Sequence, residues 1–348
     1  MDVKPKNILF ISARSDLSGG PVHLNEILLH LKGKPEFNVF VAAPENEHFS
    51  EGWKNLTSGF FKLDTRSFSI IKLFKLKKFI KQNKVTLIHS HGRGAGIYSR
   101  LLKTTSLKII HTYHGIHMVN SVTGIVKYLV DLILQITTDK LIFVAESEKN
   151  KAKSLYLALK DNVVIKNGIK LIKKIPKSER NSKITIGVTA RDDFQKGLDI
   201  LFRNMNIFKQ KNPNLEFILL IAGAAEIPKY KKDYIHFLGH TNNTKFFNEI
   251  DFFISCSRWE GLPLAVLEAM SAKIPCLLSN VVGHDYFICS NTALSFQLDN
   301  TEQFCEMLHS LITQNQDFRI NIAYNLVFDE HQTKKMCLKL LSLYNKEV

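Results

Sequence analysis

Short apolar runs alternate with longer amphipathic segments along the first half of the chain, and after a polar break the same alternation starts again. Ile8 to Ile11, Phe37 to Ala42, Val85 to His89, Lys108 to Thr112 and Leu141 to Val144 have strand length and near-continuous apolar character. That is the mark of strands covered on both faces. Helical patterns lie between them, from about Val22 to Lys32 after the Gly19-Gly20-Pro21 turn, to about Lys103 after the glycines at 92–96, and from Ile125 to Thr137. Such alternation closes as a parallel sheet with helices on both sides. The second series runs through Ile184 to Val188, Phe217 to Ala222, Ile235 to Leu238, Asp251 to Cys256 and Ile274 to Leu278. Two doubly wound α/β domains are expected, residues 1–170 and 171–330, joined by the Lys- and Ser-rich stretch around Lys170 to Lys183 that includes Pro176. Residues 331–348 read as a closing helix. Two such domains facing each other make an interdomain cleft, the expected ligand site.

Composition narrows the function. At 348 residues the chain exceeds one ordinary core. Cys256, Cys276, Cys289, Cys305 and Cys337 show no C-x-x-C spacing, which excludes a disulfide framework or a zinc module and fits a reduced, cytoplasmic setting. Met1 to Lys6 do not read as a signal peptide. The apolar stretch from Ile125 is interrupted by Lys127 and Asp131 and is too short to span a bilayer. With 47 Lys and Arg against 32 Asp and Glu, the formal charge is +15, a statement about partners rather than fold. Arg66, Lys72, Lys75, Lys77, Lys78, Lys81 and Lys84 occur with no acid between Asp64 and His89. Interleaved with Ile70, Ile71, Leu73, Phe74 and Leu76, they outline an amphipathic helix over 70–84, either a solvated face or a contact with anionic membrane. Nucleic acid is a weaker reading of the charge, because no recognised nucleic-acid module accompanies it.

The chemistry concentrates near Ser257-Arg258-Trp259-Glu260-Gly261-Leu262-Pro263-Leu264, after which a helix carries Glu268. Glu260 falls at the C-terminal edge of a buried strand, where open α/β sheets bind ligands. Free N–H groups at the start of the following helix face the same place. Arg191 and Lys196 follow the first strand of the second series; as an isolated pair they read as surface charges, and Asp192 and Asp193 stand ready to neutralise the arginine. No D-x-D occurs, so metal-held phosphate is not expected. Gly19 and Gly20 serve either as a tight turn or as a close approach to a phosphate or sugar. His89 and His91 sit beside Gly92-Arg93-Gly94, and His111, His114 and His117 surround Gly115. Their turns and strand ends do not match a zinc helix or finger, and His111 and His117 read as structural.

These residues together make the chain resemble glycosyltransferase family 4, across nearly its whole length. The strongest piece is Glu260 through Glu268-Ala269-Met270, similar to that family's E-x7-E segment with its Gly-Leu-Pro-Leu filling. The resemblance implies a GT-B fold and a retaining transfer from a nucleotide-sugar, UDP- or GDP-linked, with no further cofactor and no metal. It implies donor contacts from Gly19, Gly20, Arg191, Lys196, Gly223 and Glu260 to Leu264, with Glu268 on the ribose and Glu260 on the sugar. His114-Gly115 resembles the family's His-Gly element beside the donor sugar, while His91 and Arg93 are expected to face the acceptor. Departures are Lys170 after Asn167-Gly168-Ile169, where relatives carry an acid, and His284 after Gly283, where many carry glycine. The expected acceptor is a glycan, polyprenyl-diphosphate-linked, in bacterial surface polysaccharide assembly. A soluble glycogen- or sucrose-type synthase and a basic nucleic-acid-binding protein are the rivals.

Overall fold

The computed structural model describes residues 5–65, 67–116, 122–175 and 183–347, so Arg66, His117 and Pro176 lie outside the described residues. The chain divides into two units, residues 1–168 with 333–348, and residues 169–332. In the first, strands and helices alternate as β1 (Lys6–Ser12), α1 (Gly19–Leu31), β2 (Phe37–Ala43), α2 (Ser50–Leu56) and β3 (Gly59–Lys62). There follow α3 (Ile70–Gln82), β4 (Leu87–His91), α4 (Arg93–Leu101), β5 (Lys108–Thr112), α5 (Val122–Leu134), β6 (Lys140–Phe143), α6 (Glu146–Ser154) and β7 (Asn162–Val164). These seven strands form one sheet in the order β3-β2-β1-β4-β5-β6-β7, every neighbouring pair parallel.

The second unit runs through β8 (Ile184–Thr189), α7 (Leu198–Lys211), β9 (Phe217–Ala222), β10 (Ile235–Gly239), α8 (Asn243–Glu249) and β11 (Phe252–Ser255). It continues with α9 (Leu264–Ser271), β12 (Cys276–Ser279), α10 (Asp285–Cys289), β13 (Leu294–Phe296), α11 (Thr301–Thr313) and α12 (Asp317–Glu330). Its sheet is parallel in the order β10-β9-β8-β11-β12-β13. Short apolar strands buried on both faces produce this layering, as the alternation predicts. The strands that periodicity alone does not reveal, β3, β7 and β13, are three or four residues long and lie at or near sheet edges, where partial burial weakens the apolar signal.

Three segments differ from the sequence reading. Residues 169–175 pack on the second unit, Ile172 N–H donating to Ser271 Oγ at 3.1 Å and Ile175 N–H to Asn248 Oδ1 at 2.9 Å. The last helix, α13 (Thr333–Glu347), belongs to the first unit, where Met336, Cys337, Leu340 and Tyr344 join the core under β1. Gly19-Gly20-Pro21 is the first turn of α1, not a turn before it, because proline needs no hydrogen-bonded N–H there.

On the face of the first sheet that carries α3, α4 and α5, a buried ion cluster joins two helices. Asp131 Oδ2 accepts from Arg93 Nε at 2.6 Å and Oδ1 from Arg100 Nη1 at 3.2 Å, and Arg100 also reaches Thr138 Oγ1 and the Tyr113 hydroxyl. Asp131 and Arg100 are fully buried, so removing one charge strands the other in a low-dielectric site. Asp131→Ala should lower stability by roughly 3–5 kcal/mol in urea unfolding, whereas a neutral result would show Arg100 to be hydrated.

Candidate active site

Both sheets reverse their strand order beside the first strand, between β1 and β4 and between β8 and β11. At such switch points the connections leave in opposite directions and open a crevice at the strands' C-terminal ends. Of the residues singled out from the sequence, Lys196 meets Glu260 in the second unit and His91 meets His114 in the first.

In the second unit, Ser257 to Leu264 leave β11 while Arg191 to Lys196 leave β8. Lys196 Nζ lies 2.6 Å from Glu260 Oε1, Ser257 Oγ donates to the same oxygen at 2.6 Å, and Gln195 Nε2 donates to Oε2 at 3.3 Å. Glycine makes this convergence possible. Gly283 has φ +92, and a Cβ there would stand 2.5 Å from Glu260 backbone atoms, so only glycine lets the Val282 carbonyl accept from Glu260 N–H at 2.9 Å. Burial pushes the Glu260 carboxyl up, but Lys196, His284 and the hydrogen bonds from Lys196 and Ser257 outweigh it and hold it below the usual carboxylate range. His284 is fully buried, with Nδ1 2.9 Å from the Ser279 carbonyl oxygen.

Arg191 pairs with Asp193 at 2.9 Å, so the acid beside it does take the guanidinium in this state. Glu268, in α9, is pushed up to about 7 by desolvation, against which a 2.8 Å hydrogen bond from Asn243 Nδ2 acts. Gly223 follows β9 with φ +97, its N–H donating to the Gly239 carbonyl at 2.7 Å. Gly261, Leu262 and Pro263 are buried in the turn that leads to Leu264 at the start of α9.

The first unit's crevice holds neutral imidazoles. His91 ends β4, and His114 follows β5 with φ +66, a left-handed conformation that costs a non-glycine residue energy. His91 Nδ1 and His114 Nε2 are 3.0 Å apart, and His23 from α1 stacks edge-on against His114 with ring centres at 4.9 Å. Burial lowers His23 to about 4 and carries His91 and His114 well below their ordinary value, so all three are uncharged at neutral pH. Ring nitrogens of His23, His91 and His114 lie within 4.8 Å of one another, a spacing open to a metal ion. The His114-Gly115 turn is held by Glu148, whose carboxylate accepts from the Gly115 N–H and from Val144 N–H. Burial pushes Glu148 up to about 7 against those two bonds.

Gly20 touches the same cluster, since a Cβ there would meet His114 Cδ2 at 3.8 Å. Gly19 precedes it at the helix start. His89 and His111 are core residues bonded to Tyr344, Thr112 and Ser90. Arg93 spends its Nε on Asp131, while its side chain remains one-third exposed. Sequence reasoning assigned no role to His23, Glu148, Gln195 or Ser257. Ser257 and Gln195 adjoin recognised residues and could have been found by proximity, whereas His23 and Glu148 approach the site only through the fold.

The comparisons with known proteins bear on this geometry. Residues 17–172 match the model described as Glycosyltransferase Family 4, and residues 183–314 match that described as Glycosyl transferases group 1. The chain belongs to glycosyltransferase family 4. It is 29% identical over 313 residues to the O-antigen biosynthesis glycosyltransferase WbnH of Escherichia coli, covering 85% of this chain and 87% of that one. Over 297 residues it is 27% identical to an Escherichia coli UDP-Gal:alpha-D-GlcNAc-diphosphoundecaprenol alpha-1,3-galactosyltransferase, covering 74% of each. Among solved structures, sucrose-phosphate synthase from Thermosynechococcus elongatus superposes with a TM-score of 0.81 at 15% identity over 98% of both chains. Anabaena HepE, solved with UDP and glucose, gives 0.81 at 12% identity over 98% of this chain and 100% of that one. The two parallel α/β units are those of the GT-B class, and the enzyme is a glycosyltransferase.

Because Lys196 is the cation that holds Glu260 ionised, Lys196→Met should destabilise the fold by roughly 3 kcal/mol at neutral pH. Glu260 has a depressed pKa, so its stabilising contribution is present above the ordinary carboxylate range and lost as pH falls. The deficit of Lys196→Met in urea unfolding should therefore shrink in acid, where Glu260 takes up a proton in both proteins. A deficit that does not change with pH would mean that the lysine acts through packing.

Proposed function

We propose that this glycosyltransferase moves a sugar, with retention of anomeric configuration and without a metal, from a nucleotide-sugar to a hydroxyl of a lipid-linked glycan in surface polysaccharide assembly. The Lys196–Glu260–Ser257 cluster at the β8/β11 switch point carries the reading. Both carboxylate oxygens of Glu260 already accept hydrogen bonds and the group stays ionised, so it makes a poor nucleophile and a poor general acid. It is suited to accepting hydrogen bonds from sugar hydroxyls. Lys196 donates through one of its three N–H bonds and keeps two for the leaving diphosphate, which Arg191 would join by exchanging Asp193 for phosphate. No carboxylate pair is then needed for acid–base hydrolysis. The departing phosphate takes the acceptor proton on the face it leaves, which supports retention.

Glu268 would hold the ribose, Gly223 and Gly261 to Leu264 the nucleotide wall, and His114 the donor sugar. His91, Arg93, Gly19 and Gly20 would serve the acceptor side. The diphosphate of a UDP- or GDP-linked donor suits Lys196 and an Arg191 released from Asp193, and the galactosyltransferase relative is named for a diphosphoundecaprenol-linked sugar. Among the described residues no helix is long and apolar enough to cross a membrane. The basic helix α3 would bring the enzyme to the inner face of the cytoplasmic membrane, where a lipid-linked acceptor resides.

Glu260→Ala should abolish transfer in a protein that still folds, its stability lowered by roughly 3 kcal/mol in urea unfolding because Lys196 loses its partner. Transfer at near-normal rate by that variant removes Glu260 from the site, and product of inverted configuration by NMR removes retention. Excess EDTA should leave turnover unchanged. Inactivation restored by a divalent ion would shift attention to His23, His91 and His114.

Ribose hydroxyls require the Glu268 carboxylate, and its pKa lies near about 7. Nucleotide binding should therefore release a proton and tighten as pH rises through that value. Calorimetry of Glu268→Gln should show only the pH dependence of the phosphates. An unchanged profile would place the ribose elsewhere.

A further inference from the structure

The outer side of α5 is apolar where a surface helix is ordinarily polar. Val122, Ile125, Val126, Leu129 and Ile133 recur along it at helical spacing, and Ile136 continues the row in the 3-10 turn that follows. Their exposures run from 47% at Leu129 to 79% at Val122, so the whole row stands in water. Among the described side chains from 122 to 136, Lys127 is the one other exposed side chain. The inner side is satisfied, with Asp131 buried against the two arginines and Tyr128 and Leu132 packed on the Phe143 cluster. The row is not core in search of a place.

Neighbouring elements extend it. Gln135 donates to the Tyr156 carbonyl at 2.7 Å and accepts from Leu159 N–H at 3.2 Å, fixing a turn whose Tyr156 and Leu159 are both about two-thirds exposed. On the other flank α5 packs on α4, and the end of α4 meets Leu73, Phe74 and Lys77 of α3 in one groove. Phe68, Ile70, Ile71 and Phe74 are exposed at the start of α3, and Lys75, Lys77, Lys78 and Lys81 are exposed beyond them. α3 and α4 contain no acid, and the one acid of α5, Asp131, is buried. An apolar ridge thus borders a cationic field with no exposed carboxylate on the three helices.

We propose that α3, the end of α4 and α5 form one membrane-docking face, the α5 row entering the interfacial zone of an anionic bilayer while the α3 lysines hold its headgroups. The basic helix alone would give a salt-sensitive contact; the apolar row supplies burial that salt does not screen. Charge selects this occupant over a second copy, because a two-fold contact on this face would set one cationic field against another. The inference deepens the lipid-linked acceptor reading and rests on it for its purpose, but docking itself needs no turnover.

Vesicle flotation of the full chain tests it, with phosphatidylcholine alone and with phosphatidylglycerol added. Wild type should float with the anionic vesicles and retain part of its binding in high salt. Ile125→Gln/Leu129→Gln/Ile133→Gln should bind roughly 100-fold more weakly and lose the salt-resistant part. Lys75→Glu/Lys78→Glu/Lys81→Glu should lose a similar factor on anionic vesicles only. Failure of wild type to float, or wild-type affinity in the α5 variant, overturns the proposal. So does a dimer in analytical ultracentrifugation that the α5 variant dissolves while vesicle binding is unchanged. A short-chain, water-soluble diphosphate-linked acceptor should be used equally by wild type and the α5 variant. Loss of that turnover in the variant alone assigns the row to the site and overturns docking. If neither protein uses that acceptor while the vesicle results stand, the acceptor reading fails and the docking face remains.

Discussion

The reversal of strand order beside β1 and beside β8 is the constraint on which the site depends. In a parallel sheet every strand points its C-terminal end the same way, and right-handed crossovers carry each connection to one face or the other. Where the direction of winding changes, two adjacent loops part and leave backbone N–H groups and strand ends uncovered. His91 and the start of α1 border one such gap, and Lys196 and Glu260 border the other. The helices and the apolar strands exist to keep those loops fixed. Gly283, pressed against the Glu260 backbone, shows how close the packing must be for a carboxylate and a lysine from different loops to meet.

Most of the architecture was legible in the sequence because doubly wound sheets bury their strands completely, and complete burial writes itself as continuous apolar runs. β3, β7 and β13 were not legible because edge strands are short and half-covered. The ownership of α13 was likewise invisible. Its apolar positions are plain, but only the fold shows that Tyr344 reaches His89 under the first sheet at 2.7 Å. The same limit applies to the candidate site. Glu260, Glu268, Arg191 and Lys196 carry local spacing that can be read, and the structure brings Lys196 to Glu260 while giving Arg191 to Asp193. His23 and Glu148 are ordinary helical residues by spacing, and they become site residues only when α1 and α6 are laid against the β5 exit.

The two crevices differ in electrostatics. The one in the second unit keeps its charges. Glu260 is buried yet ionised because a lysine is within hydrogen-bond distance, so the site keeps charged groups near the place where a pyrophosphate would depart. In the first unit's crevice burial strips charge from His23, His91 and His114, leaving neutral donors and acceptors around the strained His114 turn. Neutral imidazoles can both donate to and accept from hydroxyl groups without carrying charge.

Surface charge can be read by the same logic. Net charge alone does not select a partner, and a protein of +15 could as well attract nucleic acid. What discriminates is the company the charge keeps. Phosphate-binding proteins that read nucleic acid set lysines among polar and aromatic side chains in a groove, whereas here they share a face of the first unit with an exposed row of isoleucine, leucine and valine along α5. Apolar side chains contribute nothing to binding a hydrated polyanion but contribute directly to entering a headgroup layer. The buried Arg93–Asp131–Arg100 cluster then has a structural purpose, since it turns the one acid of α5 inward and leaves the outer side free of negative charge.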